Sequence, residues 1–340
     1  MEINMKQVAI YQKEPVYEYT IENEVLKVTV LNYGGTISGI YYKEHGSMTN
    51  MVASFLNPQD YIDQGGPYLN ALVGPFAGRI AYGRYEDQGT HQLSINNGAH
   101  HLHGGNHGIS RQLFTISQPN STSLKLHLET DHEADGYPQG TYLYDILYEI
   151  HQDTFTISYH ATPPARSLLN MTSHLYFNLN GMKESIRHHQ LKLCSTRKCK
   201  IEKECHPSEL YSIKKNGAYD FSTLRDIQSN LDKKDPEFLN TLYYDTPFLL
   251  DEGVITLYDP SSQHRLDITT DESSVVVYTA NWFDESLIFE NGMTGAPLCC
   301  IALETQDVPN GINLVGYPHH QIADPTHPYT QTTHYRFTKS

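Results

Sequence analysis

Residues 123–129 read Ser-Leu-Lys-Leu-His-Leu-Glu, so leucine alternates with polar residues throughout this stretch. Successive side chains on a β-strand point to opposite faces, and this period of two places the leucines on one face of a half-buried strand. Residues 144–161 continue the pattern in two runs that are separated by Gln152 and Asp153. Two alternating runs around a short polar break predict a β-hairpin.

The same alternation recurs along the chain, at residues 25–30, 254–258, 266–270 and 274–279. Clusters of Gly, Pro, Asn and Asp separate these runs and supply turn geometry. A sustained apolar stripe of helical period is missing. Residues 224–241 fit either a helical turn or two or, because of Pro236 and the clustered charges, a surface segment. Many short strands with turns between them predict an all-β fold, a large antiparallel β-sandwich.

The chain has 340 residues, and neither a linker-like segment nor an internal repeat divides it. We therefore expect a single domain over residues 1–340. The 24 Lys and Arg against 39 Asp and Glu give a formal charge of −15, which argues against nucleic acid as a partner. The first residues lack a signal-peptide pattern and no window approaches 18 apolar residues, so we expect a cytoplasmic protein without a membrane partner.

The five cysteines are odd in number, and Cys299 and Cys300 are adjacent, which favours reduced thiols over a disulfide framework. Cys194, Cys199 and Cys205 are spaced by five and six residues, and these spacings miss the paired pattern of a structural zinc site. Tyrosine is abundant, with 25 residues. Its flat ring suits the C–H face of a sugar, but tyrosine is also a common strand residue, so both interpretations stay open.

Four polar clusters stand out from the strand background. Residues 74–80, Gly-Pro-Phe-Ala-Gly-Arg-Ile, set Arg79 among small residues, where it either binds a ligand or caps carbonyl groups. Residues 96–105 contain His101 and His103, which share a face if the segment is extended. A metal pair, a histidine that faces a pocket, and a solvated loop all fit this second cluster.

The third cluster is residues 170–179, in which His174 and two further polar residues alternate with apolar ones. This pattern fits either a strand on a hydrated, concave face of a sheet or an ordinary edge strand that faces solvent. The fourth cluster is residues 302–310, in which Glu304 follows an apolar run. Partial burial there would raise the pKa of this carboxyl group towards the range of a general base, although most carboxylates at strand ends are surface residues.

Together the clusters supply a carboxylate, imidazoles and an arginine. An activated serine or cysteine nucleophile, a phosphate-binding loop and a dinucleotide fingerprint are all missing from the sequence. Such a set can perform proton-transfer chemistry, so we expect an enzyme that needs neither a cofactor nor a metal.

In this order and spacing the clusters resemble the aldose 1-epimerase (galactose mutarotase) family, from the NYGGTISGI stretch at Asn32 to beyond ETQDVPNGIN at Asn313. The resemblance implies a β-sandwich of large curved antiparallel sheets and an isomerase that interconverts the α and β anomers of free aldoses such as galactose or glucose. It also implies that the DGYPQG run at residues 135–140 is structural.

Carried over by position, the resemblance implies one role for each of five residues. Glu304, in LETQ, corresponds to the general base, and His174, in TSHLYFNL, to the general acid. Arg79 and His103 correspond to substrate-binding residues, and Asp245, in YYDTPFLLD, corresponds to a ligand of the ring hydroxyls.

Three other functions stay open from the residues. A hexose-6-phosphate 1-epimerase on the same fold would need additional Lys or Arg at the site. A glycoside hydrolase would use two carboxylates, for which Asp245 and Glu304 are candidates. A non-catalytic sugar-binding protein would not need the acid–base pair.

Overall fold

The computed structural model describes residues 4–44, 46–251 and 254–340, and most of its regular structure is β-strand. The strands of the first half are β1 (Met5–Tyr11), β2 (Glu14–Glu22), β3 (Leu26–Leu31), β4 (Ile37–Glu44), β5 (Ser47–Asn50), β6 (Leu72–Val73), β7 (Arg79–Ile80), β8 (Arg84–Glu86), β9 (Thr90–Gln92), β10 (His101–Leu102), β11 (Thr115–Asn120), β12 (Ser123–Thr130), β13 (Tyr142–His151) and β14 (Thr154–Thr162). Those of the second half are β15 (Ser167–Leu168), β16 (Thr172–Ser173), β17 (Tyr176–Phe177), β18 (Gln190–Leu193), β19 (Arg197–Ile201), β20 (Pro207–Ser212), β21 (Arg225–Asp226), β22 (Asp245–Leu249), β23 (Val254–Tyr258), β24 (His264–Thr270), β25 (Ser274–Tyr278), β26 (Ile301–Gln306), β27 (Ile322–Ala323) and β28 (Tyr329–Lys339).

Helices are short and lie between strands. The α-helices are α1 (Asp60–Asp63), α2 (Ile227–Leu231) and α3 (Phe238–Thr241), and 3₁₀ turns occupy Ala81–Gly83, Ile109–Arg111, Glu133–Asp135, Ile186–His188 and Gly311–Asn313. Helices α2 and α3 fall within residues 224–241, where the sequence predicts a helical turn or two. Among the residues that the structure describes, none of the helices could span a bilayer.

Three antiparallel sheets dominate the fold. The largest has nine strands in the order β11-β12-β13-β14-β28-β24-β23-β18-β21, the second has six in the order β17-β26-β25-β22-β19-β20, and the third is a meander of β1 to β5. Strands β13 and β14 pair antiparallel across the turn at Gln152, as the alternating pattern predicts. The predicted large antiparallel β-fold is therefore confirmed.

One apolar cluster joins the three sheets. Leu126 of the nine-stranded sheet, Val28 of the meander and Leu303 of the six-stranded sheet are all fully or almost fully buried in it. Alternation explains how the sheets share this core, since each strand turns every second side chain inward. Burial of this apolar surface is the main contribution to the stability of the fold.

The six-stranded sheet presents two different faces. On β25 and β26, Val275, Val277 and Leu303 point into the shared core, whereas Val276 and Glu304 line a cavity on the opposite face. Val276 and Glu304 lie directly opposite each other on neighbouring strands. The period of two that builds the core therefore also fixes which residues face the cavity.

Candidate active site

A cavity of about 540 Å³ lies on the outer face of the six-stranded sheet. This volume falls in the range typical of small-molecule sites. The structure brings the five site residues predicted from the sequence together in its lining: Arg79, His103, His174, Asp245 and Glu304.

The side chains of Glu304 and His174 are neighbours at the bottom of this cavity. Nε2 of His174 lies 3.5 Å from Oε1 of Glu304, and the two side chains are only 6% and 4% exposed. Glu304 lies inside β26, whereas the apolar run before it suggests a strand end. Because Glu304 lies in the interior of a strand and not at its end, its carboxyl group is almost fully buried.

Burial acts on both members of this pair. It raises the pKa of Glu304 well above its ordinary value, an effect that the nearby charge of Asp245 reinforces and that of Arg79 opposes. Burial also lowers the pKa of His174, to about 4. Because both shifts disfavour the charged forms, the pair as a unit holds one proton over a wide pH range.

Arg79 and Asp245 form a second charged contact. Nη1 of Arg79 lies 3.8 Å from Oδ2 of Asp245, and Nε of Arg79 donates a hydrogen bond of 3.1 Å to Oδ1 of Asn97. Burial raises the pKa of Asp245, while the guanidinium group opposes this shift. The arginine keeps other N–H groups for a ligand, since its planar group carries five.

The backbone around His103 fixes the orientation of its ring. His103 has a left-handed φ of 50° and Gly104 follows with a φ of 80°. A Cβ on Gly104 would lie 2.1 Å from the carbonyl oxygen of Gly74, so this turn requires glycine. The amide of Gly78 donates to Nδ1 of His103 at 3.1 Å. Nε2 of the neutral ring therefore carries the hydrogen and is a donor.

Asp135 holds this loop in place from behind. Its carboxylate accepts hydrogen bonds from the amides of Asn106 and His107 and from the hydroxyl of Ser94. Burial acts to raise the pKa of Asp135, but these hydrogen bonds together outweigh it and hold the pKa below its ordinary value. The structural role expected for the run at residues 135–140 agrees with these contacts.

Two expectations about side-chain faces differ from the structure. His101 does not share a face with His103, because the left-handed turn at His103 interrupts the extended backbone, and its ring contacts the hydroxyl of Tyr137 instead. Asn178 does not join His174 in the cavity, because it is fully buried and donates to the carbonyl oxygens of Cys299 and Glu184. Both are buried structural residues.

Aromatic side chains complete the cavity, and no role for them follows from the sequence motifs. Tyr68 packs against His103 with 4.6 Å between ring centroids, and Tyr176 stacks on His174 at 4.8 Å. Tyr278 and Trp282 also line the cavity, and Trp282 is 59% exposed at its rim. The alternation along β25 places Tyr278 on the cavity face, but the sequence alone does not bring β25 beside β22.

One group near the cavity has the residue types of a metal site. Candidate ligand atoms of His100, Glu204 and His206 lie within 4.8 Å of one another. However, Nδ1 of His100 accepts a hydrogen bond from the amide of Tyr82, so Nε2 carries the hydrogen and faces Glu204 at 3.3 Å. A nitrogen that carries hydrogen has no lone pair for a metal, so the group fits a hydrogen-bonded cluster better.

Known proteins resemble this chain along nearly its whole length. It is 25% identical over 331 residues to galactose mutarotase from Mus musculus, with 95% of this chain and 94% of the relative covered. It is 25% identical over 335 residues to aldose 1-epimerase from Escherichia coli K12, with 95% and 96% covered. The crystal structure of galactose 1-epimerase from Lactobacillus acidophilus shares the fold with a TM-score of 0.88, 24% identity, and coverage of 100% of this chain and 99% of that one.

A family model described as aldose 1-epimerase matches residues 17–336. The match contains all four polar clusters and the five cavity residues that the motifs indicate. The chain belongs to the aldose 1-epimerase family, a family of isomerases.

Proposed function

We propose that this chain interconverts the α and β anomers of a free aldose, such as galactose or glucose, by acid–base opening and closure of the sugar ring. The observation that carries the proposal is the buried contact of 3.5 Å between His174 and Glu304 in the wall of a sugar-sized cavity. Anomer exchange needs a base for the C1 hydroxyl proton and an acid for the ring oxygen. The pair supplies both.

Ring opening starts from the form of the pair in which its one proton lies on His174 and not on Glu304. The step then moves one proton onto Glu304 and one off His174. Glu304 takes the proton of the C1 hydroxyl, His174 protonates the ring oxygen, and the bond between C1 and that oxygen breaks to give an open aldehyde. Rotation about the C1–C2 bond presents the other face of the carbonyl group, and the same residues return the protons. Because the pair holds one proton before and after, no other proton carrier is needed.

The remaining polar residues of the cavity hold the sugar. Nε2–H of His103 and the guanidinium of Arg79 are donors to oxygens on which negative charge develops, and such a donor is typically worth about 3 kcal/mol. The carboxylate of Asp245 accepts hydrogen bonds from ring hydroxyls. The tyrosines and Trp282 offer flat faces for the C–H groups of the sugar.

The charges of the cavity favour a free sugar over its 6-phosphate. Arg79 is the one Lys or Arg among the described residues that line it, whereas Asp63, Asp245, Asp284 and Glu304 also line it. A phosphate group would need cationic partners that this lining does not provide. We expect kcat/KM for glucose to exceed that for glucose 6-phosphate, and a tenfold preference for the phosphate, about 1.4 kcal/mol, would overturn this assignment.

Polarimetry distinguishes an epimerase from a sugar-binding protein. Freshly dissolved α-galactose or α-glucose approaches its anomeric equilibrium slowly without a catalyst, and the purified protein should accelerate this approach at catalytic concentrations. A protein that binds sugar without acceleration would contradict the proposal. We also propose that the enzyme acts in the cytoplasm, where the five free thiols of the chain would stay reduced.

A further inference from the structure

Two adjacent thiols lie at the beginning of the strand that carries Glu304. Cys299 and Cys300 precede β26, and their sulfur atoms are 3.6 Å apart. They are 1% and 0% exposed, in an apolar cluster that includes Phe283 and Leu287. Both of these cluster members also line the cavity, so the thiols belong to the same apolar cluster as part of the wall of the candidate active site.

The two sulfur atoms differ in chemical character. A hydrogen bond from Cys300 and further hydrogen bonds from the backbone hold the pKa of the Cys299 thiol below its ordinary value, while burial raises the pKa of the Cys300 thiol. These directions favour Cys299 as the attacking sulfur and Cys300 as the resolving sulfur. A low-pKa thiol beside a resolving thiol is one feature of redox-sensitive cysteine pairs.

We propose that Cys299 and Cys300 form a site of reversible oxidation, at which hydrogen peroxide closes a disulfide between the two neighbours. The Cys299 thiolate attacks the peroxide oxygen, and the O–O bond breaks to leave a sulfenic acid and one water after protonation. The Cys300 sulfur then attacks the sulfenic sulfur, an S–S bond forms, and a second water leaves. Two thiols are oxidised and one peroxide is reduced. Because both sulfur atoms are deeply buried, only a small oxidant can reach them.

Geometry makes such a bond labile. Neighbouring Cα atoms are about 3.8 Å apart across a trans peptide, whereas disulfides usually join Cα atoms about 4.4–6.8 Å apart. The sulfurs must also approach from 3.6 Å to about 2.05 Å. A strained disulfide has a more oxidising potential and is readily reduced by cellular thiols. The pair is therefore suited to a reversible response and not to a structural cross-link.

Closure of the bond changes the start of β26. Nδ2 of Asn178 donates to the carbonyl oxygen of Cys299 at 2.7 Å, and Ile301 pairs with Phe177 directly afterwards. A shift of this segment changes the position of Glu304 relative to His174. A displacement of about 1 Å at a catalytic group can cost about 100-fold in rate, so we expect oxidation to lower kcat by about 10-fold to 100-fold.

Mass spectrometry of the full-length protein after treatment with hydrogen peroxide tests the proposal. The peptide that contains Cys299 and Cys300 should lose the mass of two hydrogens and regain it with dithiothreitol, and kcat should fall and recover in parallel. This mass change does not depend on the proposed function, so it can be scored even if the protein lacks epimerase activity.

Three variants make the result specific. Cys299→Ala and Cys300→Ala should each abolish the mass change and the loss of kcat, while the untreated enzymes keep wild-type kcat. Cys194→Ala, at a partly buried thiol elsewhere, should respond like wild type. A peptide that gains oxygen on one sulfur, keeps both hydrogens, or forms the disulfide without any change in kcat would overturn the proposal.

Discussion

Arg79 and Asp245 contact each other in the free cavity, and both are assigned to contacts with the sugar that exist before the ring opens. We predict that Arg79→Ala and Asp245→Asn each raise KM, because they remove binding that substrate and transition state share. Steady-state kinetics of anomer exchange at several sugar concentrations measure this. Unchanged KM and kcat in both variants would remove the two residues from the site.

The pH profile follows from the single proton of the Glu304–His174 pair. A second proton binds only near the His174 pKa of about 4, so kcat/KM should stay level as the pH falls to about 5. It should decline as the pH rises through the raised pKa of Glu304, where the pair loses its proton. An acidic limb at about 6.5, the ordinary histidine value, would contradict this assignment.

Asp245→Asn also tests the electrostatic effect of Asp245 on the pKa of Glu304. The negative charge of Asp245 raises the pKa of Glu304, so its removal should move the alkaline limb of kcat/KM to lower pH. The raised KM of this variant lowers kcat/KM at every pH. It does not obscure the shift of the alkaline limb, because that limb is located by the pH of its midpoint.

The four polar clusters and the family resemblance together named five residues that the structure brings into one cavity. They did not separate His101 from His103, because the left-handed backbone at His103 is a property of the turn and not of the alternating pattern. They also gave Tyr278 and Trp282 no role. Those side chains reach the cavity only because strands distant in sequence are neighbours in the sheet.

At the scale of elements, the period of two located the long strands well. The hairpin of β13 and β14, and β23 to β25, lie where alternation predicts them. Residues 170–179 alternate like one strand, but the structure divides them: β16 and β17 are separate two-residue elements, and both are buried. The sequence pattern therefore located this segment without its interruption.

One contact between elements has a consequence for stability. Glu272, just before β25, accepts a hydrogen bond of 2.7 Å from the hydroxyl of Tyr329 on β28, and burial raises its pKa from 4.5 to about 7. The folded state therefore holds a proton that the unfolded state releases above pH 4.5. This contribution favours the fold at low pH and is lost as the pH rises towards 7.

We predict that Glu272→Gln raises the apparent melting temperature at pH 8 by a few degrees and has a smaller effect at pH 5, because glutamine avoids the charge and can still accept the bond. Differential scanning fluorimetry at both pH values measures this. Glu285→Gln, at an exposed carboxylate, is the matched control and should show no such pH dependence. An equal shift at both pH values would contradict the raised pKa.

The alternating runs predicted a large antiparallel β-fold, which the structure confirms. The net charge of −15 predicts that nucleic acid is not a partner, and this stays a prediction. The order of strands within the sheets was not predictable, because pairing between distant segments depends on packing that one sequence does not display. We propose that the chain forms a single domain, since one apolar cluster joins all three large sheets.

We predict that the activity needs no metal. The proposed steps use only side chains, and the hydrogen on Nε2 of His100 argues against metal binding by the group at His100, Glu204 and His206. Prolonged dialysis against a chelator should leave kcat unchanged in the polarimetric assay. A loss of activity that zinc or manganese restores would contradict the acid–base account.

In the proposed mechanism Glu304 and His174 each move a proton during anomer exchange, and kcat of their variants measures this. Glu304→Gln keeps the volume but cannot accept the C1 hydroxyl proton, and His174→Asn cannot protonate the ring oxygen. Each should lower kcat by about 10²-fold to 10⁴-fold, with wild-type circular dichroism. The double variant should lose less than the product of the single effects, since the residues act as a unit. Either single variant that keeps more than about a tenth of wild-type kcat would contradict the role assigned to that residue.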